Sequence, residues 1–174
     1  MADCAPVVIG LGLKTALETA RDAGSFSLRF DCRASLGDFQ YKLSDDAPST
    51  PLVDIVVQPG ADVDLSGRYE YDHTVPVVVG LRRRLSSGMR TAGSFDLSEM
   101  APLLNLFYEL IEFLLPSEEN PMGRRMTGDA LYATLAGKIE IVQLFDRDLL
   151  ETAKQYCGIF RVPFLLKASG MTGA

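Results

Sequence analysis

Hydrophobic residues recur along the chain at two different periods, and the switches between them mark its elements. Val8, Leu11, Leu13, Ala16, Leu17 and Ala20 fall at helical spacing, which predicts a helix from Pro6 to Asp22 with Ala23-Gly24 as its stop. In "FSLRFDCR", Phe26, Leu28, Phe30 and Cys32 alternate with polar residues, the mark of a half-buried strand. "LVDIVVQ" predicts a second strand with Val53, Ile55 and Val57 on one face. "YEYDHTVPVVVGLRRR" predicts the longest strand, with Tyr71, His73, Val75, Val77, Val79 and Leu81 on one face. Pro76 within it lacks a ladder donor and points to an edge position or a bulge.

The strongest helical signal is "DLSEMAPLLNLFYELIEFLLP". Leu97, Ala101, Leu104, Phe107, Tyr108, Ile111, Leu114 and Leu115 would form its apolar face, Pro102 its first turn and Pro116 its end. A short helix is expected around "DALYATLAG" and a fourth strand at "KIEIVQLF". "DRDLLETAKQ" reads as a short helix or connection, and "CGIFRVPFLLK" as a fifth strand. The segments 42–51, 59–68, 86–94 and 117–129 read as loops. Strands with one polar face call for helices over the other. The expected fold is therefore α+β: a mostly antiparallel mixed sheet of about five strands, with two main helices packed on one face. Residues 1–167 would form a single domain and 168–174 a flexible tail.

Composition narrows the function. The net charge of −6 excludes the basic footprint of a nucleic-acid-coating protein. The three cysteines, Cys4, Cys32 and Cys157, are odd in number and widely spaced. They form neither a disulfide framework nor a CxxC zinc pattern, and they fit synthesis in a reducing cytoplasm. No apolar run is long enough to cross a membrane as a helix, so a soluble protein is expected.

"VVIGLGLKTA" invites comparison with a dinucleotide-binding turn. Gly10 and Gly12 match two positions of Gly-x-Gly-x-x-Gly, and Asp31 stands where an acidic residue could meet a ribose. The third position is Thr15, and no crossover helix separates the next two strands, so an amphipathic helix containing glycine is the better reading. His73 is the sole histidine, and Asp72 beside it points to the opposite face of a strand. It reads as a packed or interface residue. Arg82, Arg83 and Arg84 could grip phosphate or an acidic partner surface, or simply solvate a strand end. Asp45, Asp46, Asp62, Asp64, Glu118 and Glu119 fall in turn-like segments without a partner for acid–base work. Neither a catalytic residue, a metal site nor a cofactor is expected.

The run "TPLVDIVVQPG", "ADVDLSGRYEYDH", "TVPVVVGLRRRL", "LLNLFYELIEFLL" and "GRRM", closing with "KIEIVQLFDRDLLETAKQYCGIFRVPFLL", resembles the tail terminators, or neck proteins, of long-tailed bacteriophages. The resemblance covers residues 7–167 and lies in the order of elements. It implies a structural virion-assembly protein: a homo-oligomeric, hexameric ring that caps the tail tube and meets the head–tail connector. DNA would only pass through its lumen, whose acidic lining disfavours phosphate. The implied localisation is the virion neck, after synthesis in the host cytoplasm, with no membrane. Subunit or tube contacts would involve Arg68, Tyr69, Tyr71 and His73 in and after the 60–71 loop, and Arg82, Arg83 and Arg84. The alternatives are a head-completion, connector or tail-tube protein, and, from a different class, a small cytoplasmic nucleotide-binding enzyme using Gly10, Gly12 and Asp31.

Overall fold

The fold is α+β. The computed structural model describes residues 5–44, 49–58, 62–65, 71–86, 90–91, 94–95, 97–116, 126–128 and 131–168. Helix α1 runs Ala5–Asp22 and ends as expected. Gly24 takes a positive φ of 77°, and the Gly24 and Ser25 N–H groups donate to the carbonyls of Arg21 and Ala20 at 3.0 and 2.9 Å. That pairing is a Schellman cap, for which a residue without Cβ is suited.

β1 (Asp31–Leu36), β2 (Leu52–Val57), β3 (Asp62–Leu65) and β4 (Tyr71–Arg84) follow. A short hairpin, β5 (Arg90–Thr91) and β6 (Ser94–Phe95), leads into α2 (Leu97–Leu114). Then come β7 (Met126–Gly128), β8 (Leu131–Leu135), β9 (Glu140–Gln143), α3 (Arg147–Ala153) and β10 (Gln155–Ala168). The main sheet is ordered β1-β2-β4-β10-β8-β7, with β3 also on β4 and β9 also on β10. Every described pairing is antiparallel except β1 with β2. Helix α1 lies against β1 and β2 at one end of the sheet and β7 at the other, so the sheet curls around it.

β4 and β10 pair along fourteen residues, placing Pro76 opposite Pro163. The edge position expected for Pro76 is therefore corrected: β4 is central. The Pro76 carbonyl accepts from Gln58 N–H at 3.0 Å, and the Pro163 carbonyl from Ala136 N–H at 2.9 Å. Each proline's missing donor thus points away from the other, to the place where β2 gives way to β3 or β8 to β9. A proline costs no ladder bond where the neighbouring strand is already interrupted.

Ile9, Leu13 and Leu17 of α1, and Met100, Leu103, Leu106, Phe107, Leu110 and Leu114 of α2, cover one sheet face together with Val75, Val77, Val79 and Leu81. The predicted α2 face is rotated by roughly a quarter turn. Tyr108 and Leu115 are exposed, while Met100, Leu103 and Leu110 are buried opposite Asn105, Glu109 and Glu112. In a helix apolar on most sides, the few polar residues locate the outer face better than the many apolar ones. Pro102 lies in the second turn, because the helix begins at Leu97.

Four further expectations change. Phe26–Phe30 is no strand, although its alternation does send Phe26, Leu28 and Phe30 inward. Glu109 accepts from the Ser27 N–H at 2.9 Å and hydroxyl at 3.0 Å, and Phe26 packs on Phe30 and Phe113, so α2 rather than a strand partner holds the segment. Residues 131–135, expected as a helix, form β8 against β10. Parts of the expected loops at 59–68, 86–94 and 117–129 are β3, most of the β5–β6 hairpin and β7. The expected tail loses Ala168 to β10, and 169–174 lie outside the described residues.

Candidate functional site

The arginine run is the principal sequence-predicted site; the structure buries Arg82 and leaves Arg83 and Arg84 half-buried. Arg82 is 2% exposed. Its Nη2 pairs with Asp54 Oδ2, itself buried in β2. Its Nη1 donates to the carbonyls of Gln40 and Lys42, and its guanidinium stacks over the Phe39 ring, 5.4 Å from the centroid. Arg82 Nε is buried without a partner among the described residues. Arg83 Nε donates to Ser49 O at 3.0 Å, and Arg84 Nη2 to Ser44 O at 3.4 Å. Gln155 completes the clamp, accepting from Leu43 N–H at 2.8 Å and donating to Tyr41 O at 2.7 Å.

All four side chains hold the connection between β1 and β2. A parallel pair requires a crossover. Here 37–44 runs over the second sheet face, where Phe39 covers Val56, Val78, Cys157 and Ile159 with Leu149 of α3. The ring fits because Gly80 lies beneath it: a Cβ there would stand 2.1 Å from two ring carbons. Arg82, Arg83 and Arg84 thus each donate to the chain's own backbone. For Arg82, burial overturns both the partner-gripping and the solvated reading.

The other predicted positions do not converge with these. Tyr71 and His73 lie at the start of β4, in register with Leu65 and Val63 of β3 and with Ala168 and Leu166 of β10. Arg68 and Tyr69 lie outside the described residues, as do Asp45, Asp46, Glu118 and Glu119. Asp62 and Asp64 belong to β3. Gly10 and Gly12 lie within continuous α1, so the strand–turn–helix that a dinucleotide site needs is replaced by one helix. Asp31 opens β1 and is exposed. Burial raises both the Cys32 and the Cys157 thiol to about 12, which keeps them neutral. No group of three or more His, Cys, Asp or Glu residues able to hold a metal occurs among the described residues.

What the fold does present is an open edge. Asp31 N–H donates to Pro51 O at 2.9 Å, and Gly37 N–H to Val57 O at 3.1 Å. Along a strand in a parallel pair, alternate residues direct both backbone groups to the same neighbour. Arg33 and Ser35 therefore also face β2, and Cys32, Ala34 and Leu36 direct their N–H and C=O groups to the other side. No strand among the described residues pairs there. Beside this edge runs a groove of about 240 Å³ lined by Pro6, Val7 and Leu11 of α1 and by Ala34, Leu36 and Val57. Gly10 lets α1 lie close enough to form its wall: a Cβ there would stand 3.0 Å from Val57 Cγ2. Leu11 is 52% and Leu36 60% exposed. Free backbone groups beside an apolar groove are equipped to receive an extended protein segment.

Sequence reading missed this site because edge position depends on which strands pair. It also missed Asp54, whose signal was a charge inside the apolar "LVDIVV". No protein-family model matches the chain, and no curated protein matches it. No described helix is long and apolar enough to cross a membrane.

Proposed function

We propose that the chain is a structural assembly protein of a phage virion, acting as a ring that closes the tail tube and joins it to the head connector. The observation that carries this reading is the open β1 edge with its apolar groove, a surface suited to a protein neighbour. The order of elements supports it. An opening helix, β2 before the long β4, the amphipathic α2, and late strands flanking a short acidic-capped helix follow the sequence resemblance to tail terminators. A ring requires two different patches on each subunit, and a sheet with unlike edges supplies them.

The test is native mass spectrometry of the full-length protein over a concentration series, with electron micrographs of the large species and of preformed tail tubes mixed with the protein. Closed rings, or density capping the tube end, are the expected result. A monomer at every concentration that leaves tube ends bare would overturn the proposal.

A further inference from the structure

Two edges of the sheet are open at the same level. Reading across the register, Ala34 of β1 is opposite Ile55, then Val79, then Phe160, and finally Ile141 of β9. The next row runs from Ser35 through Val56, Val78 and Arg161 to Glu140. At this level the order is therefore β1-β2-β4-β10-β9, and no described strand pairs with the outer side of β1 or of β9.

Both edges carry exposed apolar side chains: Leu11 and Leu36 beside β1; Ile141, Val142 and Phe145 at and just after β9, each 40–45% exposed. The faces also match. Ile141 is opposite Phe160 on the helix-covered face, where Cys32 and Ala34 pack. Glu140 and Arg33 lie on the other face, with side chains 62% and 56% exposed. Strand directions agree too. β1 runs with β2, and β9 runs opposite to it, through the two antiparallel steps at β4 and β10 and a third at β9. A second copy in the same orientation therefore brings its β9 antiparallel to this β1, the commoner and more stable pairing.

We infer that β1 of one copy adds to β9 of the next, head to tail, making one sheet continuous across subunits. Continuing the rows sets Ile141 opposite Ala34 and beside the Leu11–Leu36 groove. Glu140 then stands opposite Ser35 and diagonal to Arg33, within reach of an opposite-charge pair. The contact joins two unlike surfaces, so repetition gives a closed ring where the rotation closes. A two-fold pairing of β1 with β1 would leave every β9 uncovered. The inference rests on the ring reading above and names its interface.

The test co-expresses full-length Ser35→Cys with full-length Glu140→Cys and oxidises the product under conditions where the wild-type chain forms no disulfide-linked species. Both positions are exposed, so neither change disturbs the core. The expected result is a linked dimer in the mixture and none from either variant alone. Leu36→Lys, at an exposed site, is expected to abolish the large species in native mass spectrometry while leaving the thermal midpoint of the monomer unchanged. Linkage of Ser35→Cys alone would show a two-fold β1 contact and overturn the inference. Rings that persist with Leu36→Lys and give no linkage in the mixture would overturn this interface while the ring reading stands. A monomer at all concentrations without linkage would overturn both.

Discussion

Replacing Asp54 by Asn tests the central claim about the arginine run, that Arg82 is a buried clamp whose charge is answered from within. Asp54 and Arg82 are each 2% exposed at the side chain, and Asp54 Oδ1 also accepts from Arg33 Nε at 2.7 Å. Asparagine keeps the shape and removes the charge. The Arg82 guanidinium then remains buried, with two backbone carbonyls, one aromatic face and a neutral amide around it but no counter-charge, and its Nε has no partner among the described residues. Breaking a buried pair from one side costs about 3–5 kcal/mol. Arg33 offers the contrast. Its side chain is 56% exposed and Arg82 still answers Asp54 when it is removed, so Arg33→Ala should cost no more than about 1 kcal/mol. The double variant Asp54→Leu/Arg82→Met removes both charges and should cost less than the sum of the single changes, because neither leaves an unanswered ion. The chain has no Trp, so urea unfolding is best followed by far-ultraviolet circular dichroism. Amide exchange across 37–44 should rise selectively in Asp54→Asn, since that segment loses its anchor. A cost below about 1 kcal/mol for Asp54→Asn, or a double variant worse than the two singles combined, would refute the reasoning.

Gly80→Ala should displace the Phe39 ring and cost about 1–3 kcal/mol in thermal or urea unfolding, with a much smaller penalty when Phe39→Ala is already present. Lys154 ends α3 at φ 51°, so Lys154→Gly should stabilise the protein by about 0.5–1 kcal/mol, read as a raised urea midpoint. Stability should fall as pH rises above 9: the Cys157 thiol ionises near 9 when unfolded but only at about 12 when folded, so below 9 both states hold the proton and above it only the folded one does. The loss is at most about 1.4 kcal/mol per pH unit for this group. Cys157→Ala should lessen the slope of urea midpoint against pH, and Cys32, raised to about 12 by the same burial, together with Tyr156, whose hydroxyl is also pushed upward by burial, accounts for part of the slope that remains.

Local pattern carries much of this fold. The alternation of Val53, Ile55 and Val57 is legible as β2 because it needs only the period of a strand, and Ala23-Gly24 is legible as a helix stop because only local dihedrals are involved. What local pattern does not carry is partnership. Phe26 to Phe30 alternates as a strand does, yet Glu109, far along the chain, takes the Ser27 donors and no ladder forms there. "LYATL" has residues acceptable to a helix and becomes β8 through its pairing with β10. The same limit governs the site. Arg82 looks like a surface cation until Asp54 is known to lie in the neighbouring strand, and β1 looks like any other strand until the pairing shows no described strand on its outer side.

The central position of β10 has a consequence for how the chain is made. One side of β4 is completed only by Gln155–Ala168. The ribosome finishes Arg84 about seventy residues before it reaches Gln155, an interval on the order of ten seconds at ordinary rates of synthesis. Throughout that time the valine-rich middle of β4 has an unfilled place beside it in the nascent chain. The valines that later form the least accessible part of the molecule are thus, during translation, its most adhesive part, and yield in the cell should respond to chaperone supply and growth temperature well before the finished protein approaches its melting point.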